Sequence, residues 1–258
     1  MGNMEALYNT WKAIGTSGGD LSFFQDFFVK FYQAFIEADR WLQYLNGVKT
    51  TLLVTALALI LGVALGVTVA ILRTAHDQQR PGHRNPVLAV LNLVCKIYVT
   101  VIRGTPMMVQ LLIMGFVIFA SSRNFTMIGT LTLGINSGAY VSEIVRGGLM
   151  SVDKGQMEAG RSLGLGYGTT MRFVIVPQAV KAILPALGNE FIILLKDTSL
   201  ITVIGGKELL HAAQGIMGRT YEAMFPLIGI ACMYLVLVMI FTWLLGKLER
   251  RLRQSDRR

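Results

Sequence analysis

The sequence predicts an all-α integral membrane protein, and three observations point there. Of its 258 residues, 53% are hydrophobic and only 15% are charged, against about 25% charged in an ordinary soluble domain. The mean hydropathy is +0.54, and the apolar residues fall into long runs suited to a bilayer. Lysine and arginine gather at the ends of those runs, as membrane topology requires. That placement turns a net charge of +9 away from a nucleic-acid partner and toward a membrane. Cys95 and Cys232 lie in apolar surroundings without metal-ligand spacing, and read as small buried residues.

Residues 1–46 form an N-terminal segment. Residues 1–20 hold no continuous apolar stretch, so the first hydrophobic run is expected to be a retained anchor rather than a cleaved leader. Over 21–37, Phe23, Phe27, Phe31 and Phe35 recur every fourth residue, with Phe24 and Phe28 beside them. Gln25, Asp26, Lys30, Gln33 and Glu37 take the other face. This amphipathic helix suits the outer membrane interface, and the same stripe also allows packing against a bundle.

The transmembrane part, 47–248, contains five apolar stretches of about the length a span needs: 47–72, 86–120, 125–150, 172–197 and 221–248. The second is long enough to be broken, and Arg103-Gly104-Thr105-Pro106 marks the place, because proline lacks a backbone donor. Gly104 and Pro106 are thus one candidate hinge, and Pro177 and Pro185 are others. Basic residues follow the first span (Arg73, Arg80, Arg84), the third (Lys154, Arg161, Arg172) and the fifth, including the basic tail 249–258. The other loops carry only Arg123, Lys207 and Arg219. Five spans with the N-terminus outside and the C-terminus cytoplasmic satisfy every loop, whereas six would put a basic set outside. His76, His83 and His211 read as solvated loop residues.

Between spans three and four lies EAGRSLGLGYGTTMRFVIVP, from Glu158 to Pro177. Asp153 is placed to cap a helix, with Gln156 three residues on to reach back, and Gly164 to stop it. A short cytoplasmic helix over 153–164 is expected, able to pass force from a cytosolic partner to the spans. The plain alternative is a loop helix with a capping box. Gly62 and Gly66 make a G-x-x-x-G pair for close helix approach, within the bundle or across a dimer.

The stretch resembles the EAA signature of ATP-binding cassette (ABC) importer permeases. Gly160 replaces its second alanine, Val174 its isoleucine and Val176 its leucine. RGTPMMVQLL, GAYVSEIVRGGLMSVDKGQMEAGRSLGL and PQAVKAILPALGNEFIILLKDTSLITVIG are similar to the polar amino acid uptake branch of that family, over about 47–248. The resemblance implies a type I importer architecture in the bacterial cytoplasmic (inner) membrane. It also implies a second permease copy or relative, two cytoplasmic ATPase subunits and an extracytoplasmic substrate-binding protein. Glu158, Ala159, Gly160, Ser162, Leu163 and Gly164 would then form the coupling helix seated on the ATPase. No phosphate-cradling G-x-x-x-x-G-K-[ST] motif, zinc spacing or catalytic cluster occurs in the sequence. ATP and magnesium would be bound by the partners, and this chain would have no cofactor.

Ionisable groups at membrane depth cost about 2.5–3.5 kcal/mol on insertion scales, so each needs a reason. Glu143 and Arg146 stand three apart and are placed either to pair or to act; Lys196 and Asp197 either snorkel or act. Asn189 and Glu190 lie deep in span four, after Pro185 and Gly188, and such groups face a bundle interior or aqueous cavity. A substrate-contact region is expected near Thr105, Glu143, Asn189, Glu190 and Asp197, with N–H groups at the Pro106 helix start for a carboxylate. The outer loop 202–222 reads as a cap over the route or as a simple connector. The other functional readings are a self-sufficient secondary transporter or channel for small polar solutes, and, last, a membrane-bound enzyme.

Overall fold

The computed structural model describes residues 2–79 and 85–255, and among these every regular element is helical. Arg80, His83 and Arg84 of the first basic loop, and Arg257 and Arg258 of the tail, lie outside the described residues. The helices are α1 (Gly2–Thr16), α2 (Phe23–Phe35), α3 (Arg40–Asp77), α4 (Pro86–Gly104) and α5 (Met107–Ile113). They continue with α6 (Phe125–Met150), α7 (Lys154–Ser162), α8 (Tyr167–Thr170), α9 (Val176–Asp197), α10 (Leu209–Thr220) and α11 (Met224–Ser255).

Among the described residues, four stretches are long and apolar enough to cross a membrane: Glu37–Asp77, Pro86–Gly104, Tyr167–Ile204 and Met224–Leu252, with Met107–Ile118 as a shorter apolar helix. The central α6 is not among them, because its glycine, serine, threonine, Asn136, Glu143 and Arg146 lower its hydropathy. Its 26 residues rise about 39 Å, more than the ~30 Å of a hydrocarbon core, and its neighbours enclose its polar groups.

Packing begins at α6. A methyl group added at Gly62 of α3 would lie 2.7 Å from Ser137 Oγ, and one at Gly66 2.6 Å from Val141. The G-x-x-x-G pair therefore serves contact within this chain, with α3 and α6 running parallel. Gly134 and Gly138 return the favour by admitting Leu61 and Leu65 of α3. Around this seam α9 runs antiparallel to α6, so that Gly148 receives Ile183. Val54, Ala58, Leu111, Ile128, Leu133, Leu194, Ile201 and Ile204 close a core toward one end. Ala70, Val141, Val145, Ala179 and Ile183 close another toward the α7 end.

The N-terminal segment holds more structure than its hydropathy suggests. α1 has no long apolar run, yet Tyr8 stacks on Tyr32 with ring centroids 4.3 Å apart, and Trp11 meets Phe28 edge-on. On α2, Phe27 and Phe31 pack against Phe225 of α11, and Phe35 against Tyr44, while Phe23 and Phe24 stay exposed. The phenylalanine stripe thus follows the bundle-packing alternative over its second half. Glu37 accepts from Tyr8 at 2.6 Å and Lys12 at 2.7 Å, which holds the Lys12 ammonium above the usual lysine range.

Helix ends also depart from the hydropathy boundaries. α3 starts at Arg40 rather than 47, because Arg40 pairs with Glu37 and donates to the Gln33 carbonyl, and Tyr44 is buried. The second run does break at Gly104: Thr105 is extended and Pro106 becomes the N-cap of α5. A π-helical stretch, Met171–Ile175, precedes Pro177 and absorbs its missing donor, whereas α9 runs through Pro185 unbroken.

Substituting Gly66→Leu is expected to separate α3 from α6 and lower stability by about 1–3 kcal/mol. Gly147→Ala, where an added methyl meets nothing within 4 Å, should leave stability equal or raise it by about 0.5–1 kcal/mol. Thermal unfolding of the purified protein in detergent, read as a lower Tm for the first and not for the second, checks both.

Candidate functional site

Three polar constellations stand out, one at each end of the bundle and one within it. At the first end lies α7. Asp153 caps it by accepting from the Gly155 N–H at 2.6 Å. Gln156 does not complete a capping box; its side-chain Oε1 accepts from Gln178 Nε2 at 3.5 Å instead. The helix stops as the glycine predicts, with Gly164 at φ +77°. Leu165 N donates to the Gly160 carbonyl at 3.0 Å, and Gly164 N to that of Arg161 at 2.9 Å. Those two bonds make the paired C-terminal motif that satisfies a helix end.

Gly160 explains its own departure from the alanine of the motif. It is buried against α8, and an added methyl would sit 2.5 Å from Thr170 Cγ2. Glu158, Ala159, Ser162 and Leu163 face outward, with Leu163 80% exposed. α7 thus presents a polar and apolar outer face while its inner face is locked to the segment leading into α9. The Tyr167 hydroxyl donates to Gln78, fastening the same segment to the end of α3.

Within the bundle the expected contact residues divide. Glu190 is buried and accepts from Ser137 Oγ at 2.8 Å, at the level where Gly62 lets α3 close in. Asn189, next to it, is exposed, and Asp197 is half-buried at the end of α9. Glu143 belongs elsewhere: it pairs with Arg73 of α3 and, at 3.3 Å, with Arg146. It stands six residues, about 9 Å of helix rise, from Ser137. Thr105 is exposed, and its hydroxyl donates to the Val101 carbonyl at 2.8 Å.

Gln110, absent from the sequence-based site, joins this region together. Its amide donates to the Ile102 carbonyl at 2.7 Å and to Thr105 Oγ1 at 2.9 Å, and its oxygen accepts from Asn136 at 3.0 Å. It therefore satisfies the carbonyls freed by the Gly104–Pro106 break and ties them to α6. The signal was its place four residues after the proline, one turn into the restarted helix.

At the other end Glu208 is a second residue sequence reasoning passed over. It is 1% exposed. It accepts from Thr202 Oγ1 at 2.6 Å, Tyr234 OH at 2.5 Å, the His211 N–H at 3.0 Å and Thr51 Oγ1 at 3.4 Å. A buried carboxylate needs several donors to hold its charge, and here α3, α10, α11 and the turn before α10 each supply one. Gly47 permits the arrangement, since an added methyl would lie 2.8 Å from the Leu209 backbone.

Among known proteins, a family model described as binding-protein-dependent transport system inner membrane component matches residues 87–254. The glutamine transport system permease protein GlnP of Escherichia coli (strain K12) is 36% identical over 216 residues, covering 81% of this chain and 92% of that protein. A putative glutamine transport system permease protein of Rickettsia typhi is 34% identical over 229 residues, 88% of this chain and 97% of that protein. A crystal structure of an amino acid ABC transporter with histidines superimposes with a TM-score of 0.73 at 41% identity, covering 81% of this chain and 94% of that one. An inward-facing MetNI methionine ABC transporter shares the fold, with a TM-score of 0.69 at 20% identity over 84% of this chain and 99% of that one.

Removing the buried acid tests the second end. Glu208→Ala leaves three hydroxyls and the start of α10 without their acceptor and is expected to cost about 1–3 kcal/mol for each buried group orphaned. Glu208→Gln, which keeps the shape, should cost less. A fall in Tm together with faster amide exchange confined to α10 is the expected reading.

Proposed function

The chain belongs to the family of binding-protein-dependent transport system inner membrane components, and from that premise we propose how it works as an importer subunit. It is a permease of an amino acid ABC importer. We infer that its cargo is a polar amino acid, with glutamine first because relatives at 34–36% identity carry that name. The complete machine would hold two cytoplasmic ATPase subunits that bind ATP and magnesium, a second permease, identical or related, and an extracytoplasmic binding protein. The N-terminus would lie outside and the C-terminal basic tail inside, as the lysine and arginine distribution favours.

The observation that carries the mechanism is α7: a short helix with an exposed outer face whose inner glycine is keyed to Thr170. We read it as the coupling helix. Motion of an ATPase beneath Glu158, Ala159, Ser162 and Leu163 would be passed through Thr170 to α8 and α9, and through Ser151 to α6. Access to the region around Thr105, Asn189 and Glu190 would then alternate between two rigid-body states that the nucleotide biases. Gly104, Pro106 and Pro177 would be the places where the helices give, while α9 stays continuous through the fourth candidate hinge, Pro185. Glu143 would support the α7 end through Arg73, and Asp197 the opposite mouth.

Two measurements test this reading. The purified complex should retain an ATPase and show vanadate-sensitive amino acid uptake in proteoliposomes. Uptake by this chain alone, driven by a proton gradient, would replace it with a secondary carrier. Gly160→Val should unseat α7 from Thr170 at about 1–3 kcal/mol, lowering uptake roughly tenfold or more while the ATPase still co-purifies. A cysteine at Ala159 should crosslink to that ATPase.

A further inference from the structure

α4 carries a polar stripe that the site above does not use. Lys96, Thr100 and Arg103 share one helix face, at spacings of four and three, and all three are exposed. α4 is itself apolar enough to cross a membrane, and Lys96 lies ten residues, about 15 Å, inside its start. A lysine side chain cannot snorkel that far to either end. The lipid-compatible side of α4 lies elsewhere, on exposed Val90, Val94, Ile97 and Val101. Cys95 and Val99 form the buried seam, so the polar stripe is the border between seam and lipid face.

At its Arg103 end the stripe looks onto α6. The Arg103 guanidinium sits over the Tyr140 ring, 5.1 Å from its centroid. Tyr140 and Gly147 are the exposed face of α6, the flank left open between α9, held through Ser137 and Glu190, and α4 and α5, held through Ile135 and Asn136. Among the described residues, no acid is recorded within ion-pair distance of Lys96 or Arg103. Two cations at membrane depth with no acid recorded beside them, one of them turned toward α6, are best satisfied by water or a ligand.

Resting on the permease reading above, we propose that Lys96 and Arg103 are the cationic wall of the substrate route, where they meet the carboxylate of the passing amino acid. The opposite wall holds Asn189 and, behind it, Glu190 on α9. A zwitterion crossing between them is oriented by this polarity, carboxylate to α4 and ammonium to α9. The wall is a specificity element of the permease itself, separate from selection by the binding protein.

The test uses the whole complex, with its ATPase and binding protein, in proteoliposomes. In a background lacking Cys95 and Cys232, Lys96→Cys should react with a membrane-impermeant thiosulfonate, and transported amino acid should slow that reaction. Lys96→Gln should lower the maximal uptake rate about tenfold, the loss of one charge-assisted hydrogen bond, without changing the KM set by the binding protein. Lys96→Arg should restore it. The inference is overturned if Lys96→Cys is unreactive in a complex that still transports, or if Lys96→Gln imports at the unmodified rate. Should the unmodified complex import no amino acid with ATP, the permease reading fails instead, and the labelling still reports whether this face is wet.

Discussion

Everything in this bundle is positioned by the approach of α3 to α6. In a bilayer, apolar helices gain nothing by hiding from lipid, so close packing and interhelical hydrogen bonds must hold them together. Gly62 and Gly66 on one side, and Gly134 and Gly138 on the other, remove the side chains that would keep the two backbones apart. Leucines fill the steps between them. Ser137 lies in this seam, and its hydroxyl is therefore fixed where Glu190 arrives on α9. The buried carboxylate is a consequence of the glycine contact.

The two ends of the bundle have opposite mechanical character. At the α10 end, Glu208 binds four parts of the chain through neutral donors, so the turn, α3 and α11 move together or not at all. At the α7 end the chain is jointed: a left-handed glycine stops α7, a four-residue helix follows, and a π-helical stretch leads into Pro177. The closest contact across these joints is where Gly160 meets Thr170. Under the proposed coupling role, a push on α7 would be passed on at that point, and the neighbouring joints would let the helices rotate.

The charges at membrane depth sort by how they are satisfied. Glu143 is held by two arginines, Glu190 by a serine and Glu208 by hydroxyls and a helix start. These acids stabilise contacts between helices. Arg103 instead lies over the Tyr140 ring, and among the described residues no acid is recorded within ion-pair distance of it or of Lys96. Such groups cost most in a bilayer, which is why the proposed route is placed beside them rather than beside the buried acids.

The sequence by itself determined that the chain is helical with long apolar runs, the place where the second run breaks, the Gly164 stop of α7 and the pattern shared with importer permeases. Each is a local property: hydropathy along a run, a missing N–H at Pro106, a positive φ that suits glycine. It also marked Gly62 and Gly66 for close approach, without naming the partner. The tertiary structure alone decided that the partner is α6, that Glu143 joins Arg73 seventy positions away, and that Glu208 is buried. It also made Gln110 the closure of the broken helix and Gly160 a seat for Thr170. Those depend on which faces meet. One dimension of hydropathy carries no azimuth, so a residue's partner across the bundle appears only once the helices are packed.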